Sequence, residues 1–151
     1  RCLDCVQGPT SCRECLVDSH RNNPFHQIEV WVDNHFARSS LDSLGQCLDL
    51  GHNGDTCPNA PRDADGIHEA SDGRRFTIVH LNGVHSMRVR LCHCLHDKPE
   101  LDQLLEARLF PATLKQPMTA FTFAFLDDFQ IHNRTSHKSM YDHYDAIRRK
   151  T

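Results

Sequence analysis

Polar and apolar residues alternate over positions 27–32, with Ile28, Val30 and Val32 on one face, and this period of two predicts a β-strand. Asp33-Asn34 can reverse the chain into a short second strand around His35-Phe36. Ser39 or Ser40 then predicts the cap of a short helix ended by Gly45, followed by strand over 46–50. Residues 51–75 are rich in Gly, Asp, Asn, Pro and His and predict loop. Two β-rich runs follow, 76–81 and 84–91, separated by Asn82-Gly83, a strong short-range signal for a hairpin. The second arm runs directly into Cys92-His93-Cys94.

Beyond Pro99 the period changes. Leu101, Leu104, Leu105 and Leu109 make one apolar stripe of a helix that Phe110-Pro111 should stop. A second helix is predicted over 120–132 from Phe121, Phe125 and Phe129, and a third, capped by Ser136, carries Met140, Tyr144 and Ile147. The pattern as a whole predicts a small α+β module with β-hairpins and C-terminal helices. Three parts are expected: a finger over 1–30, a β-rich segment over 31–98 and a helical segment over 99–151.

Composition says what must hold these elements together. Only 38% of the 151 residues are hydrophobic, and the mean hydropathy is -0.56, so an apolar core alone would be thin. The chain carries 8 Cys and 12 His. Clustered histidine has no place in a disulfide framework and a clear one in a zinc site. No apolar run approaches the ~20 residues of a membrane span, and the expected compartment is reducing and intracellular. With ligand-type residues from Cys2 onward, the true N-terminus is expected upstream.

The opening reads Cys2-x2-Cys5-x6-Cys12-x2-Cys15-x4-His20-x5-His26. A two-residue spacer lets both thiolates of a pair meet one tetrahedral ion, so two such knuckles and a His pair point to zinc. Six ligands do not divide into fours. If Cys2 and Cys5 share an ion with His20 and His26, Cys12 and Cys15 lack two partners. Downstream, His52, Cys57, Cys92 and Cys94 make a second Cys3His set, with His85, His93 and His96 as possible substitutes. Cys47 has no nearby partner and is expected to be a buried thiol.

The segment 1–26 resembles the later half of B-box and ZZ-type fingers, in which alternate ligand pairs serve alternate zincs. That resemblance implies one complete site at Cys2, Cys5, His20 and His26, with Cys12 and Cys15 completed by residues before Arg1. Read end to end, the chain resembles the Cys-x-Cys-type cysteine cluster found N-terminal to the catalytic domain of fungal KDZ (Kyakuja–Dileera–Zisupton) transposases. The matching pieces include Arg1-Cys-Leu-Asp-Cys5, His20-Arg-Asn-Asn-Pro-Phe-His26, Leu50-Gly-His-Asn-Gly54 with Cys57, Val89-Arg-Leu-Cys-His-Cys94, Leu109-Phe-Pro-Ala-Thr113 and Tyr141-Asp-His-Tyr144.

What the resemblance implies is a zinc-chelating accessory region of a nuclear DNA transposase, whose catalytic domain would lie beyond Thr151. The fragment itself is expected to be no enzyme. Asp127 and Asp128 are helix neighbours pointing ~100° apart, and the deaminase, phosphate-loop and serine-elbow patterns are all missing. Expected partners are DNA or chromatin through the full-length transposase, with a peptide such as a histone tail, or self-association, as the alternative. No membrane and no small-molecule substrate is expected. Net charge is -3, from 17 Lys+Arg against 20 Asp+Glu, so any DNA contact must come from a local patch. A basic face of Arg88, Arg90, Arg148, Arg149 and Lys150 would favour DNA; an acidic groove of Asp4, Glu14 and Asp18 would favour a peptide.

Overall fold

The computed structural model describes residues 1–60, 73–94 and 98–151. It is a mixed α+β module. Helix α1 (Arg13–Ser19) lies in the Cys/His-rich opening and is followed by a two-stranded hairpin, β1 (Ile28–Val32) and β2 (His35–Ser39). Asp33 and Asn34 both take positive φ, which suits the tight turn pairing Val32 with His35. The main sheet comprises β3 (Cys47–Asp49), β4 (Arg74–His80), β5 (Gly83–Arg90), β6 (Leu109–Pro111) and β7 (Thr119–Thr122), in the order β3-β5-β4-β7-β6. Strand β3 runs parallel to β5 and β7 parallel to β4, while the β4–β5 and β6–β7 pairs are antiparallel. Helices α2 (Glu100–Glu106), α3 (Phe123–Ser136) and α4 (Met140–Arg148), with a 3-10 turn at His52–Gly54, complete the described elements.

Both faces of the sheet are covered. Phe76 and Ile78 of β4 and Met87 and Val89 of β5 meet Leu50, Leu104 of α2, Leu109 and Ala120 in the larger apolar cluster. Val79 turns the other way, onto Phe125 of α3 and Ile147 of α4. A third, smaller cluster of Cys2, Leu16, Ile28 and Leu41 lies under the opening segment. Arg74 pairs with Glu100 and Lys98 with Glu106, so α2 is tied at both ends.

Several expected boundaries move, each for a local reason. The helix predicted after Ser40 is a run of turns. Ser40 Oγ does accept the Ser43 N–H at 3.2 Å, but Gly45 at φ 93 ends the segment before a helix can establish. The hairpin turn comprises Leu81 and Asn82 instead of Asn82 and Gly83, with His80 paired to Gly83. Asn82 spends its amide on the opening segment, donating to Asp4 Oδ2 at 2.9 Å and to the Phe25 carbonyl at 2.7 Å. Gly83 takes φ 153, where a side chain would be strained, and a Cβ there would also stand 2.9 Å from Thr151 Oγ1.

Leu109 leaves the predicted helical stripe because Arg108 takes φ 58 and turns the chain into β6. Residues 119–122 likewise form β7, so α3 starts at Phe123, capped by Thr122 Oγ1 accepting the Phe125 N–H. The last helix is capped by Ser139, since α3 continues through Ser136. Cys47 is partly buried at the edge strand β3, and burial pushes its thiol pKa up.

Candidate metal centres

Two groups of Cys and His side chains gather among the described residues: Cys2, Cys5, His20 and His26, and His52, Cys57, Cys92 and Cys94, with the ligand atoms of each group within 4.8 Å of one another. Every cysteine is free, so neither group is a disulfide.

The first group is assembled from three local pieces. The chain before β1 pairs back on it: Leu3 N–H donates to Gln27 O and Cys2 bridges Ile28. Cys5 follows one turn later, and Gly8 lies so close that a Cβ there would meet Cys5 Cβ at 3.1 Å. Leu16, buried in α1, sets the helix so that its C-cap, His20, faces inward. His20 Nδ1 lies 2.8 Å from Leu16 O and 3.0 Å from Ser19 Oγ. Donation to that carbonyl leaves Nε2 with its lone pair, 3.3 Å from Cys5 Sγ. His26 Nδ1 lies 3.4 Å from Cys5 Sγ and 3.5 Å from Cys2 Sγ, and burial lowers its pKa. A depressed pKa keeps the ring neutral, as ligation requires.

The second group joins the loop after β3 to the end of β5. Gly51 at φ 88 bends the chain where a Cβ would stand 3.2 Å from Cys92 Cβ. His52 and Asn53 also take positive φ in a single 3-10 turn. His52 Nε2 then faces Cys92 Sγ at 3.3 Å and Cys94 Sγ at 3.4 Å. Cys57 Sγ lies 3.5 Å from Cys94 Sγ and 3.9 Å from Cys92 Sγ. Gln103, buried in α2, accepts the Cys92 N–H through Oε1 at 2.8 Å and donates to the Cys92 carbonyl through Nε2 at 3.2 Å.

The charges in this group ask for a cation. Burial opposes ionisation of Cys57, yet N–H groups of His93 and Asn59, with Cys94 and His52, bring its thiol down to about 6. Its hydrogen bond with Cys57, followed by burial and the neighbouring thiolate charge, pushes Cys94 up to about 11. Cys57 and Cys94, 3.5 Å apart, ionise together readily only with a positive ion between them. The spacing fits one. Ligands of a tetrahedral zinc lie ~3.8 Å apart for sulfur to sulfur and ~3.6 Å for sulfur to nitrogen, from bond lengths of ~2.3 and ~2.05 Å. Both groups match those edges and could hold such an ion.

Cys12 and Cys15 lie outside both groups. They are exposed on the first turn of α1, where Cys12 is the N-cap and its Sγ accepts the Cys15 N–H at 3.5 Å. Among the possible substitutes, His85 Nε2 faces Asn82 Oδ1 at 2.9 Å and His93 contributes its backbone N–H to Cys57. His96 lies outside the described residues. Ser19 and Gln103, which orient His20 and Cys92, carry no signal in the sequence, because a lone serine or a glutamine on a helix is indistinguishable there from surface.

Most of the charged groups that would separate DNA from peptide binding are engaged within the fold. Arg88 pairs with Asp42 at 3.5 Å and Arg90 with Asp49 at 2.7 Å, while Arg148 and Arg149 share Asp145. Asp4 accepts from Gln27 N and Asn82 Nδ2, and Asp18 pairs with Arg21. No described helix is long and apolar enough to cross a membrane.

Comparison with known families places residues 41–151 in the family described as the CxC2-like cysteine cluster associated with KDZ transposases. The chain belongs to that family. The second Cys/His group lies wholly inside the matched span; the first, with the β1–β2 hairpin, precedes it. No curated protein and no solved structure matches the chain.

Proposed function

We propose that this chain is a zinc-binding accessory domain of a KDZ-type DNA transposase, which does no chemistry itself and helps to target or assemble the transposase on DNA or chromatin in the nucleus. The carrying observation is the His52, Cys57, Cys92 and Cys94 group inside the family-matched span. Four protein ligands leave no open position for substrate or water, the arrangement of a structural zinc. Such an ion supplies on the order of 10–16 kcal/mol of apparent binding energy, against a typical domain stability of ~5–15 kcal/mol. The metals therefore act as folding elements. Cys12 and Cys15 are proposed as half of a further zinc site, its other ligands supplied from outside these 151 residues.

The internal pairing of Arg88, Arg90, Arg148 and Arg149 supports an accessory role over autonomous DNA binding. A module whose Arg88, Arg90, Arg148 and Arg149 are paired within the fold should bind generic duplex with a dissociation constant of ~10⁻⁴–10⁻⁶ M near physiological salt, and should not cut it with or without magnesium. Fluorescence anisotropy at two salt concentrations and a nicking assay test this. Nanomolar binding to random duplex, or cleavage, contradicts it. A second reading, a B-box/ZZ-like peptide-binding module, is favoured by one observation. Trp31, 60% exposed, stacks edge-on with Phe36 at 4.8 Å on the β1–β2 hairpin, and exposed aromatics of this kind anchor protein partners.

A further inference from the structure

Away from both Cys/His groups, α3 and α4 bring three more ligand-type side chains towards one point. Asp128 and His132 lie one turn apart on α3, with Asp128 Oδ2 3.7 Å from His132 Nε2. From α4, His143 Nε2 approaches the same oxygen at 3.4 Å. Residues four apart on a helix share a face, so a carboxylate and an imidazole at that spacing can reach one ion. The three are less tightly gathered than the Cys/His groups, which close within 4.8 Å. His132, with 47% of its side chain exposed, is not packed in place and can change rotamer.

His143 is the side chain that calls for a partner. It is 2% exposed, and neither ring nitrogen makes a well-aligned hydrogen bond, the 3.4 Å approach of Nε2 to Asp128 Oδ2 included. The rings of Phe125 and Phe129 flank it at 5.0 and 5.6 Å and offer no polar atom. An unpaired buried polar group costs about 1–3 kcal/mol, so a fold that keeps one at this position loses stability unless something fills the gap. Burial also lowers the His143 pKa, leaving the neutral ring with a lone pair for ligation at neutral pH.

We propose that Asp128, His132 and His143 form a further metal site that takes a borderline divalent ion such as zinc, completes its shell with water, and clasps α3 to α4. Imidazole and carboxylate donors suit such ions. Nitrogen and oxygen ligands of a tetrahedral zinc lie ~3.4 Å apart, close to the 3.4 and 3.7 Å from Asp128 to the two histidines, whose rings, 5.5 Å apart, must close up on the ion.

The test is calorimetric titration of zinc chloride into the full chain, with both Cys/His groups already filled and Cys12→Ser and Cys15→Ser removing the exposed thiols. One further, weaker zinc per chain is expected, with the imidazole resonances of His132 and His143 moving together. Asp128→Asn and His132→Gln alter partly exposed side chains that the fold tolerates, and each should weaken this zinc at least tenfold. His137→Gln, on the exposed link between the helices, should leave it unchanged. No further zinc, or one that binds equally well to D128N and H132Q, overturns the proposal.

Discussion

The side-chain amide of Gln103 clamps the backbone of Cys92, accepting its N–H at 2.8 Å and donating to its carbonyl at 3.2 Å. Through this pair α2 fixes the direction in which the Cys92 thiol points. Groups that orient a metal ligand in this way are typically worth about 10–100-fold in metal affinity. We predict that Gln103→Leu, similar in volume but unable to bond the strand end, lowers zinc affinity at the second group by about that factor. Competition against a chelator reads the change; an unaltered affinity would show that Cys92 is held by its strand alone.

The two groups should fail separately. Cys57→Ser or Cys92→Ser is predicted to remove one metal and open the end of the β4–β5 hairpin, while Cys2→Ser releases the other metal and loosens 1–28. A salt bridge at 2.7 Å, Arg21 to Asp55, joins the two loops, but both side chains are more than half exposed. Such a pair is worth about 0–1 kcal/mol, too little to make one metal's loss expel the other. Hydrogen exchange should show protection lost on one side only. Loss throughout the chain after either substitution would mean one cooperative unit.

Stability should fall in mild acid through His85. Burial, followed by the charge of nearby His80, depresses its pKa from 6.5 to about 4. The folded state therefore binds that proton less readily than the unfolded chain does. The stabilisation is complete above pH 6.5 and is lost as the pH falls towards 4, by about 1 kcal/mol at pH 5.5. Asn82 Oδ1, 2.9 Å from His85 Nε2, accepts from the neutral ring. Denaturation of His85→Gln and wild type at pH 7.5 and 5.5, both with saturating zinc, should show a shallower pH dependence in the variant. Equal slopes would place the acid sensitivity elsewhere.

The chemistry was more legible in the sequence than the geometry around it. Spacings such as Cys2-x2-Cys5, His20-x5-His26 and Cys92-x-Cys94 are local, and the structure gathers those residues into two groups. The hairpin was also readable, though its turn falls one residue early because Asn82 bonds to Asp4 and Phe25, which are remote in sequence. Strands β6 and β7 were hidden. Leu109 continues a helical period by coincidence, and only the left-handed Arg108 shows that the helix has ended. Helix α1 carries no clear periodic signal because ligand residues interrupt its apolar face, leaving Leu16 as its one buried residue.

The central claim, that metal ions at two closed Cys/His groups fold this domain, is tested most directly by counting zinc on the intact chain. Native mass spectrometry of protein refolded with excess zinc and then dialysed should find at least two ions per chain. Stripping them with a chelator should abolish the cooperative thermal transition, because an apolar core this thin cannot hold the sheet alone. One zinc or none on a chain that still unfolds cooperatively would contradict the account.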